Sequence, residues 1–264
     1  MVAEEPPATG RTLARASTWG LKEKNLEDVL RRLSEELSTC YSENLVGLFL
    51  YGSSASGDIH QKFSDLNILC VLTKISAHDL KSCEKTVSWF VRKGNPPPLF
   101  FTLEELETSH DVFPIEFLDM QLNHRLLSGR DVLADLSINR ENHRLELEHE
   151  LRTKYIGLRQ TFLTTHERPK ALEALIFRSL SNFTTLMRHV LLLTGGPLLL
   201  KKHDIIGNIC TRCGLDEGFF LHLLGLRKEG GRLPASQVEA TFQHYLEQIE
   251  KLIQFVDHLP KNSD

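Results

Sequence analysis

One segment limits the folds open to this chain more than any other. Leu48-Phe49-Leu50-Tyr51-Gly52-Ser53 is followed, after eleven residues, by Asp65-Leu66-Asn67 and an apolar run through Leu72. The order predicts a strand, a tight glycine-serine turn, a short helix, and a second strand presenting a carboxylate. Glycine lets a backbone approach a ligand closely, and the amides and hydroxyls of Ser53 and Ser54 suit phosphate oxygens at a helix start. Side chains two apart on a strand share a face. Asp65 and Asn67 are therefore expected to look toward the Gly52-Ser53 turn, while Leu66, Ile68, Cys70 and Leu72 face the packing on the other side.

This layout suits a bound divalent ion and phosphoryl transfer. Two ions a few ångströms apart stabilise the attacking and leaving oxygens of an in-line displacement, and Mg2+ is held by carboxylates together with substrate phosphates. Such a site wants two carboxylates at positions two apart, and Asn67 stands where the second would be. An amide oxygen can ligate, but it offsets no charge. Unit charges about 4 Å apart interact by roughly 4 kcal/mol at an effective dielectric of 20. Asp58 is the nearest acid in sequence that could substitute by reaching back from the segment after the turn.

The pattern of an apolar strand, Gly52-Ser53, an interval of about ten residues and Asp65-x-Asn67 resembles the DNA polymerase beta-like nucleotidyltransferase superfamily. There the last motif is Asp-x-Asp or Asp-x-Glu. The superfamily also carries a third carboxylate on a later strand. Val112-Phe113-Pro114-Ile115-Glu116-Phe117-Leu118-Asp119-Met120 supplies it here, with Glu116 in the strand body preferred to Asp119 near its end. The resemblance covers about residues 45–133. The Phe113–Asp119 segment and Glu148-His149-Glu150-Leu151-Arg152 also look like a bacterial group of predicted nucleotidyltransferases with a helical C-terminal domain. The likeness implies transfer of a nucleoside monophosphate from a nucleoside triphosphate to a hydroxyl of a small-molecule or protein acceptor. Gly52, Ser53 and Ser54 would hold phosphate, and Asp65, Asn67 and Glu116 would hold Mg2+ or Mn2+. Asp65 and Glu116 are the catalytic pair in this reading, with Glu116 the likelier base. The alternative is a catalytically inactive nucleotide-binding sensor or protein-interaction scaffold, which Asn67 favours.

Composition fits a folded protein with small partners. The 264 residues are 41% hydrophobic, enough for two cores, and 31 basic against 35 acidic residues leave a net charge of −4. No overall basic field is present to attract polymeric nucleic acid. Five cysteines, an odd number, without a charged-then-apolar signal segment point to reduced thiols in a cytoplasmic setting. The leucine triplets 191–193 and 198–200 are broken by Gly195-Gly196-Pro197 and are too short to span a bilayer.

Along the chain, residues 1–20 read as a loosely held leader. Leu26, Val29, Leu30, Leu33 and Leu37 give an amphipathic helix before the first strand. Ser76-Ala77-His78-Asp79 predicts a helix start and one helix running to Arg92. Leu99-Phe100-Phe101 reads as a strand, followed by a short acidic helix and the Glu116 strand. The expected first domain, 21–138, is thus an α/β nucleotidyltransferase-like domain with a mixed sheet. From 139 to 264 the periodicity is helical throughout and predicts an antiparallel bundle of five helices.

Other candidates are weaker in sequence. Lys201 and Lys202, beside His203 at a helix start, could meet a phosphate across a cleft. Cys210-Thr211-Arg212-Cys213 has ligand spacing but no second pair, and reads as a helix end. His143, Glu146, His149 and Glu150 sit at helical spacings that an exposed, charge-laced helix also produces. After Arg178 the Arg, four residues, then His spacing of helical-bundle ribonuclease toxins fails, with Phe183 standing where the His is required.

Overall fold

The computed structural model describes residues 11–52, 54–55 and 65–260, and for residues 11–25 the backbone alone. Chain contacts divide it into two units, one of residues up to His110 with Phe117–Ser137, the other of Asp111–Glu116 with Ile138 onward.

The first unit is built on a mixed four-stranded sheet of order β3-β2-β1-β4. Strand β1 (Leu45–Tyr51) pairs antiparallel with β2 (Asn67–Leu72) and, on its other edge, with β4 (His124–Gly129), while β3 (Leu99–Thr102) runs parallel to β2. The two-residue periodicity divides the sheet into faces as expected. Leu48, Leu50, Ile68, Cys70 and Leu72 share a buried cluster with Leu30, Leu33, Leu37 and Tyr41 of helix α1 (Arg11–Tyr41) and Phe90 of α3 (Glu84–Arg92). On the opposite face Phe49, Leu69 and Val71 are fully buried. The same unit buries Leu106 of α4 (Leu103–Ser109), Phe117, Met120 and Leu133.

Several expectations are corrected here. Helix α1 spans Arg11–Tyr41, so residues 11–20 of the expected leader are helical, and residues 1–10 lie outside the described residues. The helix expected from Ser76 to Arg92 is two: α2 (Ala77–Ser82), opened by a capping box between Ser76 and Asp79, and α3, separated by Cys83. Most important, the strand expected at Val112–Met120 is a helix, α5 (Pro114–Leu122), and the strand that joins the sheet is β4 immediately after it. Proline at the first helical position is preorganised for that start. The apparent alternation at Ile115 and Phe117 has another origin. Ile115 belongs to the core of the helical unit and Phe117 to that of the sheet unit, where its ring meets Phe101 edge-on at 5.6 Å between centroids.

From Ile138 onward the described residues of the second unit form five helices: α6 (Arg140–Thr165), α7 (Pro169–Leu193), α8 (Lys202–Cys213), α9 (Glu217–Glu229) and α10 (Val238–Asp257). Their apolar stripes merge in one core, with α7 contributing Leu172, Ile176, Phe183, Met187 and Val190 and α10 contributing Phe242, Tyr245, Ile249 and Leu252. Among the described residues no helix is long and apolar enough to cross a membrane. All five cysteines carry free thiols. Burial, with Glu217 and Asp216 nearby, pushes Cys210 up to about 12, and burial pushes Cys213 to about 12 as well, far from the thiolate form.

Candidate functional site

The glycine-serine turn is anchored from three directions. Gly52 has φ +79°, a left-handed backbone that favours glycine, and a Cβ there would stand 3.3 Å from Asn67 Nδ2. Asn67 therefore does adjoin the turn, as the Tyr51–Asn67 strand pairing requires. The Gly52 carbonyl accepts from the Ala55 amide at 2.9 Å and from Asn123 Nδ2 at 2.8 Å, while the Gly52 amide donates to the Asn123 carbonyl at 3.1 Å.

Asp65 is exposed and lies just before β2, which starts at Asn67, so it is set by local bonds rather than by the strand pleat. The Ser54 hydroxyl donates to the Asp65 carbonyl at 3.0 Å. The next amide, Leu66, donates to Asn95 Oδ1 at 3.2 Å, and Asn95 Nδ2 donates to the Phe90 carbonyl at the end of α3 at 3.3 Å. Ser54 thus closes the base of the excursion between the strands; its hydroxyl proton is committed there, leaving its lone pairs for other partners. Ser53, Asp58 and the helix expected after the turn lie outside the described residues.

Glu116 is placed differently from the expectation. It is exposed in the first turn of α5 and groups with the helical unit rather than lying on a strand of the sheet. Its close neighbour is Glu146 of α6, whose Oε2 accepts from the Ile115 amide at 2.8 Å. Burial, opposed by that amide and reinforced by Glu116 and Glu150, pushes Glu146 up to about 7. Strand β3, the neighbour of β2, offers only Leu99, Phe100, Phe101 and Thr102. Among the described residues no three His, Cys, Asp or Glu side chains come together as an ion site. By their chemistry, Asp65 and the amide oxygen of Asn67 offer oxygen ligands of the kind that a Mg2+ accompanying a triphosphate takes.

The helical unit supplies the cationic feature. Lys202, at the start of α8, donates from Nζ to the Ser181 hydroxyl at 2.9 Å, and Arg227 of α9 donates to the same hydroxyl. Lys201 precedes it at the helix N-cap position, exposed. Burial first, and Arg227 second, hold the Lys202 ammonium below the ordinary lysine range. Among the described residues neither Lys202 nor Arg227 has a carboxylate partner. Two cations held on one hydroxyl without a counter-charge, next to a helix N-terminus, form an arrangement that an anion would relieve. Arg227 escaped sequence reasoning because it lies in the basic last turn of α9, where a cation facing the helix dipole is unremarkable.

With that geometry in hand, the comparisons with known proteins add one informative likeness. No family model matches the sequence, and no curated protein does. Among solved structures the fold is similar to the spectinomycin adenyltransferase AAD(9) from Enterococcus faecialis, crystallised with ATP and spectinomycin. The TM-score is 0.52 at 10% identity, over 85% of this chain and 99% of that one. The mixed sheet followed by a helical region is thus a nucleotidyltransferase-like fold.

Proposed function

We propose that this chain binds a nucleoside triphosphate at the Gly52 turn and transfers its nucleoside monophosphate to a hydroxyl of a small-molecule acceptor, releasing pyrophosphate. The observation that carries the reading is the turn itself, in which a left-handed glycine is clasped by Asn123 with Asn67 alongside and Asp65 fixed just before the strand. The likeness in fold to a protein crystallised with ATP and a small-molecule acceptor supports the same class of chemistry. Gly52, Ser53 and Ser54 would take the phosphate tail. Lys202 and Arg227, with Lys201, are the residues of the helical unit with the chemistry to hold phosphate oxygens. Asp65 and Asn67 would ligate a Mg2+ or Mn2+ arriving with the triphosphate, which would supply charge neutralisation on phosphate oxygens. Glu116 remains the proposed base on the acceptor hydroxyl. The positions of reacting oxygens, rather than covalent chemistry by the protein, would account for most of the rate.

A second reading, a nucleotide-binding sensor or scaffold without turnover, is favoured by two observations. Asn67 replaces a carboxylate, and the segment expected to bring a third acid on a strand is the helix α5. Calorimetric titration with ATP, with and without Mn2+, followed by pyrophosphate release, separates the readings. Given a panel of small hydroxylated acceptors to take the nucleoside monophosphate, the enzyme releases pyrophosphate, and Asp65→Asn abolishes the release. Binding without release, with release appearing in Asn67→Asp, establishes the sensor instead. ATP failing to bind under either condition overturns both.

A further inference from the structure

Strands β1 and β4 are in register at Tyr51 and His124, so the next pair along the antiparallel ladder is Gly52 and Asn123. An antiparallel pair of this kind can exchange two backbone bonds. One is made: the Gly52 amide donates to the Asn123 carbonyl at 3.1 Å. The other is not made by backbone. The Asn123 amide instead donates to the Asp119 and Met120 carbonyls at 3.1 and 3.3 Å, where it closes the last turn of α5. Its side chain takes over the missing role, with Nδ2 donating to the Gly52 carbonyl at 2.8 Å.

Residue 123 is therefore asked to end a helix with its amide and continue a sheet with its side chain. Asparagine carries a donor at the required reach; aspartate has the shape without the proton, and glutamine is one methylene longer. The corner around it is stiff. His124 Nδ1 lies 3.0 Å from both the Met120 and Gln121 carbonyls, and its Nε2 lies 3.1 Å from Asp131. The Asp131 carboxyl is held below the usual carboxylate range because hydrogen bonds from His124 and the Ala134 amide outweigh its burial. The His124 ring also packs edge-on against Phe49, with centroids 5.7 Å apart.

We infer that Asn123 is a positioning residue for the nucleotide turn: its side-chain amide fixes the Gly52 peptide in the orientation that receives the phosphate tail. This deepens the proposed function and rests on it. Asn123 touches no reacting atom and acts only through Gly52.

The test uses the full chain carrying Asn123→Asp, which keeps the shape but sets a carboxylate against the Gly52 carbonyl, with Asn123→Ala as the second variant should the first not fold. Hydrogen exchange at the Gly52 amide is followed by NMR without nucleotide, and ATP affinity is measured by calorimetry. The expected result is faster exchange at Gly52 and an ATP dissociation constant raised about tenfold, the scale of one neutral hydrogen bond. Where turnover is present, KM for ATP rises while kcat stays within about twofold. A folded variant with unchanged exchange at Gly52 overturns the inference. So does faster exchange with unchanged ATP affinity, which would make Asn123 a purely structural tie. Wild-type protein that binds no ATP removes the functional reading instead, while the exchange measurement still decides whether Asn123 holds the turn.

Discussion

The Gly52 turn and the Lys202–Arg227 pair are opposites in construction. The turn and its flank are fixed by neutral hydrogen bonds that involve Asn123, Ser54 and Asn95, with the Asp65 carboxylate at the edge. The pair is the reverse, two cations gathered on the Ser181 hydroxyl with no acid paired to them among the described residues. The first is backbone geometry, and the second is charge. Geometry without charge gives orientation, while charge without a rigid frame gives attraction, so loss of each should appear in a different measurement.

The largest effect is expected on the cationic side. Lys202→Ala with Arg227→Ala should weaken binding of a triphosphate at that pair by about 100-fold or more, since two hydrogen bonds from charged donors, each contributing about 1.5–3 kcal/mol, sum to about 3 kcal/mol at the least. An equal affinity in calorimetry would show that the pair holds no phosphate. On the geometric side, Gly52→Ala imposes a side chain on a left-handed backbone and crowds Asn67 Nδ2, so a stability loss of about 1–2 kcal/mol is expected in urea unfolding. Unchanged stability there would mean that the turn is less constrained than its φ requires. The smallest effect concerns Glu146. A carboxyl pushed up to about 7 when folded keeps its proton after the unfolded chain has released it, so stability falls as pH rises from about 4.5 to 7. Glu146→Gln retains an acceptor for the Ile115 amide and should flatten that slope in thermal melts; a slope identical to wild type would show that burial of Glu146 does not govern it.

Much of the sheet unit was legible because its signals are periodic. The alternation through β1 and β2 is visible wherever one face is buried, and it placed Asn67 beside Gly52 before any coordinates. Strand β4 escaped because it lies at the sheet edge. Its His124-Arg125-Leu126-Leu127-Ser128-Gly129 shows no alternation, and Leu126 remains 39% exposed. Helix α5 was misread for the opposite reason: Ile115 and Phe117 are both buried, each in a different core, and two buried positions flanking an exposed one imitate a strand. The helical periodicity after residue 139 announced a run of helices, and α6 to α10 occupy it. Sites built from residues far apart in sequence left no trace in it, as with Ser181 and Arg227, which are 46 positions apart.

Asn95 joins the end of α3 to the amide that follows Asp65, a span of 29 residues from Leu66. The acid that would meet a nucleotide is therefore located by the point at which a distant helix stops. Changes in the length of α3, or in the Pro96-Pro97-Pro98 stretch after it, would shift Asp65 while every residue around the Gly52 turn stayed the same.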